Sequence, residues 1–278
     1  TGASGTVGRS LVEQLARAGE PVRAMTRDPA ATRFPAGVEV VYGDLADPAT
    51  LPGVLAGVDR LHLFPFPQTA TEVVALASKA GVRRVTVLSS GSVTAGYDTD
   101  YQLPVEQAVE ASGLEWTHLR PGEFAANRLA LWGPSIRAER VVRWPSPAEA
   151  GIPIHEADIA AVAVHALLED GHGRAYDMTG PAALCVRDQV AAIAAAIGGD
   201  VRLEQVSRAE ALRRVEEQGG WAAVNGPFLL GYEGFSADTD YPEIAADELR
   251  PLPTVEQVTG RPARSFAQWA LDHADDFR

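Results

Sequence analysis

Three glycines at the head of the chain, Gly2, Gly5 and Gly8 in Thr1-Gly2-Ala3-Ser4-Gly5-Thr6-Val7-Gly8, have the spacing of a phosphate cradle. The first permits a tight turn, the second lets backbone N–H groups approach a pyrophosphate, and the third allows a helix to pack closely on a strand. A helix starting there offers unpaired N–H groups and the positive end of its dipole to an anion. Ser4 and Thr6 could add hydroxyl donors, and Val7 lies in the same turn. Glycines recur by chance, so the pattern counts only where the turn opens a helix and a second strand ends at the right distance.

That second strand ends Thr26-Arg27-Asp28. An acid at this tip holds a ribose 2′-hydroxyl, whereas an arginine meets a 2′-phosphate. Arg27 comes first, which favours NADP(H); Asp28 could instead cap a helix begun by Pro29. Asp44 and Leu45 end the next strand, where an adenine would lie, and Asp44 could accept from its amine or simply serve the turn. Phe64-Pro65-Phe66-Pro67 could wall the ribose and nicotinamide or form a stiff buried loop. Ser89 and Ser90 end a further strand and could touch nicotinamide or substrate.

Tyr101, twelve residues after Ser89, is the candidate proton donor. A phenol titrates near ~10, and a lysine four residues on is the usual means of lowering it. Val105 stands there instead; Tyr97 is followed at that interval by Tyr101, and the lone lysine, Lys79, lies on an earlier helix. Hydride addition to a simple ketone develops an alkoxide that needs an acid in place. A quinone gives a stabilised phenolate and needs far less help. Ser89 and Tyr101 are therefore catalytic candidates for an easy acceptor, not for an ordinary ketone. Glu106 and Glu110, one helical turn apart, read as a solvated face; Arg120, Glu123 and Asn127 suit packing as well as substrate contact. The six histidines have no metal-ligand spacing, and no metal is expected.

The elements that would position these groups alternate. Helices are expected at 9–18, 48–55, 69–80 and 104–111, and strands at 21–26, 38–42, 60–64, 82–88 and 115–119. Short connections and Val- and Leu-rich strands imply a parallel sheet covered by helices on both faces. This is an α/β, Rossmann-type doubly wound sheet, which binds ligands at the carboxyl ends of its strands. A glycine turn of this kind follows a buried strand, so we expect further apolar residues upstream of Thr1. The expected cofactor domain is 1–130, with 155–179 returning to it, and 131–278 forms a smaller α/β lobe. In that lobe helices are expected at 186–197 and 208–218 with a strand at 201–206, while 219–253 is rich in turns. Trp132 and Trp144 could wall a pocket or belong to the core.

Composition narrows the partners. The formal net charge of −13 opposes nucleic acid and anionic membrane surfaces. No apolar run approaches the length of a bilayer span. One cysteine, Cys185, excludes an intrachain disulfide and reads as a small buried hydrophobe, so a cytoplasmic protein is expected. The partner expected is a small molecule; oligomeric state is not readable.

Together these runs resemble the NmrA-like group of atypical short-chain dehydrogenases. The opening glycine run, Thr26-Arg27-Asp28-Pro29 and Gly43-Asp44-Leu45 carry the likeness, as do Ala80-Gly81-Val82-Arg83-Arg84-Val85 with Leu88-Ser89-Ser90. So do Ser112-Gly113-Leu114-Glu115-Trp116-Thr117, Leu119-Arg120-Pro121-Gly122-Glu123-Phe124, Thr179-Gly180-Pro181 and Thr259-Gly260-Arg261-Pro262. The resemblance implies NADP(H) between a Rossmann domain and a small lobe, with Pro121 and Phe124 among its contacts. Members include NADPH-dependent quinone reductases, and others resemble redox sensors that bind the cofactor and regulate a protein partner. Both an NADPH-dependent reductase of a quinone-like or conjugated molecule and a non-catalytic sensor stay open.

Overall fold

Strands and helices follow one another from Thr6 onward in the computed structural model, which describes residues 1–169, 171–230 and 245–278, with the alternation clearest before Pro121. The order begins α1 (Thr6–Arg17), β1 (Arg23–Thr26), β2 (Glu39–Tyr42), α2 (Leu51–Leu55), β3 (Arg60–Leu63) and α3 (Ala70–Ala80). It continues β4 (Arg84–Leu88), α4 (Gly91–Thr94), α5 (Gln102–Glu110), β5 (Glu115–Pro121), α6 (Asn127–Leu131), α7 (Gly133–Glu139), β6 (Val141–Trp144) and β7 (Ala150–Gly151). Then come α8 (Glu156–Leu168), β8 (Arg174–Met178), β9 (Leu184–Cys185), α9 (Val186–Ile197), β10 (Arg202–Gln205), α10 (Arg208–Gln218), α11 (Gly220–Leu229), α12 (Thr254–Thr259) and α13 (Phe266–Asp272).

Two units result. The first holds Thr1–Gly122, Glu156–Thr179 and Leu252–Ala263; the second holds Glu123–His155, Gly180–Pro251 and Arg264–Arg278. The change of unit thus falls after Gly122, and Leu252–Ala263, expected in the smaller lobe, packs with the first unit through α12 against α8 and β8. The turn-rich stretch expected at 219–253 lies partly outside the described residues.

In the first unit β3, β4, β5 and β8 form a parallel sheet in that order, and β1 and β2 pair in parallel beside it. Thr1 and Ala3 lie between the two groups. The Thr1 nitrogen donates to the His62 carbonyl at 2.7 Å, and the Ala3 N–H donates to the Met25 carbonyl at 3.4 Å. Alternation along β5 sends His118 and Arg120 toward α5, where they meet Glu110 and Glu106; Thr117 points the other way and donates to the Gly171 carbonyl at 2.7 Å, just past α8. Both faces are therefore covered by helices, and Val85, Val87 and Leu119 between them are fully buried. Gly81 ends α3 in a left-handed conformation, φ 93°, which a side chain would strain. The chain then enters β4.

The second unit pairs β6 with β10 in parallel and β7 with β9 antiparallel. Trp132 and Trp144, 2% and 5% exposed, meet edge to face at 5.7 Å in its core beside Ile136 and Ile193, so neither is a free pocket wall. Cys185 is half-buried rather than buried; its thiol donates to the Asp188 carboxylate at 3.2 Å at the start of α9. No helix among the described residues is long and apolar enough to cross a membrane.

Candidate functional site

The glycine loop closes on itself. Gly5 N–H donates to the Gly2 carbonyl at 3.1 Å, and Gly2 takes φ +62°. A Cβ on Gly8 would stand 2.1 Å from the Gly2 carbonyl oxygen, so only glycine lets α1 begin this close to the turn. Gly5 is the N-cap of α1 and makes no side-chain cap, which leaves the first N–H groups of this twelve-residue helix for a ligand. Ser4, Gly5 and Thr6 are exposed there. Val7 is buried in the core, so only its backbone can serve. A Cβ on Gly2 would lie 3.0 Å from the Phe64 Cβ, which places Phe64, itself largely exposed, directly on the loop. A loop built to exclude a Cβ while presenting free N–H groups fits a dinucleotide pyrophosphate.

Around it the expected residues divide. Arg27 is exposed at the tip of β1 and has no hydrogen-bond or ion-pair partner among the described residues. Asp28 does not cap a helix: its carboxylate accepts from the Ala31 N–H at 3.1 Å and closes a turn. Two arginines not singled out in the sequence stand close by. Arg9 donates to the Arg33 carbonyl at 3.0 Å and lies 5.6 Å from the centre of the Phe34 ring. Asp44 accepts from the Ala46 N–H at 3.0 Å, a turn role, and Leu45 is buried in the core. Pro65 is buried, as is Pro121 at the end of β5. Phe124 belongs to the second unit, where it bridges to Ile154.

At the carboxyl end of β4, Ser89 is 2% exposed and its hydroxyl has no hydrogen-bond partner of normal geometry. Ser90 is instead spent locally, capping α4 by accepting from the Ser92 N–H at 3.2 Å. Tyr101 is 44% exposed and is the N-cap of α5. Burial raises its phenol above the ordinary value and nearby Asp98 raises it further, the opposite of what a proton donor near neutrality needs. Lys79 cannot correct this. It ends α3, by the amino end of β4, whereas Ser89 follows the carboxyl end, a five-residue strand or roughly 16 Å away.

The solvated face expected of Glu106 and Glu110 holds only for Glu110. Glu106 is 1% exposed, and both its oxygens accept from Arg120, at 2.9 Å from Nε and 2.5 Å from Nη2. Burial pushes its carboxyl up, but the Arg120 guanidinium and the nearby Ser89 hydroxyl together outweigh this and hold it below the usual carboxylate range. Arg120 also donates to Thr94 Oγ1 at 3.1 Å, and Thr94 donates to Asp177 at 2.6 Å. One guanidinium thus ties α5, β5, α4 and β8 together behind Ser89. His118 Nε2 lies 3.1 Å from Glu110, and burial lowers its imidazole. Glu123 pairs instead with the buried Arg128 in the second unit. An open groove of about 440 Å³, lined by His165, Arg174, Tyr176, Asp177, Thr254 and Gln257, borders the edge strand β8 and includes neither the glycine loop nor Ser89.

Residues 2–170 match the NAD(P)H-binding family. The chain is 37% identical to the (4-alkanoyl-5-oxo-2,5-dihydrofuran-3-yl)methyl phosphate reductase of Streptomyces griseus, across 100% of this chain and 98% of that one. It is 34% identical to the NAD(P)H azoreductase of Xenophilus azovorans, across 99% and 97%. Among solved structures it resembles an NADPH-dependent quinone oxidoreductase of Escherichia coli, with TM-score 0.73 and 24% identity over 97% and 96%. It also resembles the Citrobacter triphenylmethane reductase complexed with NADP(H), with TM-score 0.75 and 18% identity over 98% of each chain. These two likenesses are of fold.

Proposed function

This chain belongs to the NAD(P)H-binding family, in the NmrA-like branch of the atypical short-chain dehydrogenases, and from that premise we propose that it is an NADPH-dependent reductase of a quinone-like or otherwise conjugated small molecule. The observation that carries the reading is the pairing of an open glycine loop with an exposed arginine at the neighbouring strand tip, Arg27, which has no partner among the described residues. The loop N–H groups would hold the pyrophosphate and the Arg27 guanidinium the 2′-phosphate, since Asp28 is occupied by its own turn. Two relatives support the reductase reading, one named for an acyl-dihydrofuranone phosphate and one for azo compounds; both names describe a reducible bond that is conjugated.

A reduced nicotinamide held there would supply the hydride. The described residues supply little acid catalysis beside it: burial and Asp98 keep Tyr101 in its neutral, weakly acidic form, and no cation partners it among the described residues. That suits acceptors whose reduced form is a stabilised anion and disfavours simple ketones. The experiment is NADPH oxidation at 340 nm with a small quinone, an azo dye and an unconjugated ketone. The expected order is quinone and azo dye well above ketone. Tight NADPH binding with no turnover of any acceptor would replace this reading with a cofactor-responsive regulator.

A further inference from the structure

β8 closes one side of its sheet, and its outer edge borders a groove of about 440 Å³ that lies wholly within the first unit. That volume is in the range of small-molecule sites. His165 reaches the groove from α8, Arg174 and Tyr176 from β8, and Thr254 and Gln257 from α12. The far wall is tied to the strand: the Leu252 N–H donates to Thr179 Oγ1 at 2.8 Å, and Thr254 Oγ1 donates to the Asp177 carbonyl at 2.6 Å.

Strand alternation sorts the charges at this edge. Arg174 pairs in register with Thr117 and Tyr176 with Leu119, so both β8 side chains share the face that Thr117 turns toward α8. Asp177 pairs with Arg120 and takes the opposite face, where its carboxylate accepts from Thr94 at 2.6 Å. Asp177 therefore enters the groove by its main chain, and its charge points away. The side chains of His165, Arg174, Tyr176 and Gln257 make no hydrogen bond or ion pair among the described residues. In a chain with 37 acidic and 24 basic residues, this groove thus presents a cation and no side-chain anion.

We propose that the groove binds a small organic oxyanion, a carboxylate or phosphoryl group on a partly apolar body, apart from the cofactor cradle. The Arg174 guanidinium can only donate, and its planar fork matches two oxygens of such a group. The Gln257 amide and the Tyr176 hydroxyl add donors beside it, and Leu252 and Val258 offer apolar surface to the body of the ligand. A cationic ligand would meet Arg174 with no carboxylate to offset it. None of these residues belongs to the glycine loop, so the proposal does not rest on the reductase reading.

The test is calorimetric titration of the full chain with benzoate, phenyl phosphate and the neutral benzamide, in the wild type, Arg174→Gln, Gln257→Leu and Arg27→Met. Arg174 is exposed and unpaired among the described residues, so Arg174→Gln should leave the urea midpoint and NADPH affinity unchanged. The expected result is saturable binding of at least one anion, with benzamide weaker by about tenfold or more. Arg174→Gln should cost a similar factor, Gln257→Leu a smaller one, and Arg27→Met nothing. The tighter of the two anions identifies the group that the site takes. No saturable binding of either anion, benzamide binding as well as benzoate, or affinity unmoved by Arg174→Gln overturns the proposal. Loss of binding in Arg27→Met also overturns it, by placing the anion at the cofactor site. A wild-type chain that binds these anions through Arg174 but binds no NADPH would sink the reductase reading and leave this site standing.

Discussion

Glu106 and Arg120 meet in a two-pronged pair across the α5–β5 contact, with both carboxylate oxygens engaged at 2.9 and 2.5 Å and the glutamate almost wholly buried. Removing one member strands the other in a low-dielectric setting. Glu106→Gln should therefore cost about 3–5 kcal/mol in urea unfolding, whereas Glu106→Leu with Arg120→Met should cost clearly less than that. A double variant as unstable as the single one would show that the pair adds net stability of its own.

The acid side of the stability profile should be steep. Burial lowers the imidazoles of both His62 and His118, so both stay neutral in the fold and take protons more readily once unfolded. The unfolded chain then binds more protons below about pH 6.5, and stability falls as pH drops through that value. Glu106 acts in the same direction lower down: its folded value is depressed, so its contribution is present above the ordinary carboxylate range and is lost as pH falls through it. Urea midpoints should decline between pH 7.5 and 5. A His62→Asn variant, with the Thr86 hydroxyl still in reach, should decline less; an equal decline would remove His62 from the account.

Gly8→Ala should abolish cofactor binding more than it disturbs the fold. Its Cβ would stand 2.1 Å from the Gly2 carbonyl oxygen and 2.9 Å from the Ala3 Cα, both backbone atoms that cannot step aside without opening the loop. NADPH affinity is expected to fall more than tenfold by fluorescence titration while far-ultraviolet circular dichroism is retained. Unchanged affinity would mean that the loop is not the pyrophosphate site.

Arg27→Met should erase selectivity for the phosphorylated cofactor. A charge-assisted hydrogen bond contributes about 1.5–3 kcal/mol, so NADPH affinity should fall roughly tenfold or more while NADH affinity stays level. Equal losses for both cofactors would place Arg27 elsewhere than at a 2′-phosphate.

Glycine and strand alternation made the first unit legible. Gly2, Gly5 and Gly8 marked the loop, Gly81 the end of α3, and Val-rich runs the strands, because each reports a local backbone requirement. The Glu106–Arg120 pair was not legible: the two residues lie fourteen apart on different elements, and the i,i+4 spacing of Glu106 and Glu110 invited a solvated face. Only β5 alternation, which sends Arg120 to the α5 side, contains that information, and it needs the sheet to be read. In the second unit, α11 contains Gly226 and Pro227, residues that ordinarily break a helix, and α6 and α7 begin with no side-chain cap. Those helices form because their apolar residues reach the core around Trp132, Ile136 and Trp269, a tertiary effect with no local signature.

The most direct test of the central claim is a single turnover without oxygen: equal amounts of protein and NADPH, then one equivalent of a small quinone, with absorbance followed at 340 nm beside the Gly8→Ala variant. Rapid loss of the NADPH signal in the wild-type chain, absent or much slower in the variant, is the result expected of a reductase that holds its cofactor on this loop. A wild-type trace no faster than that of the variant or of NADPH with quinone alone would contradict it.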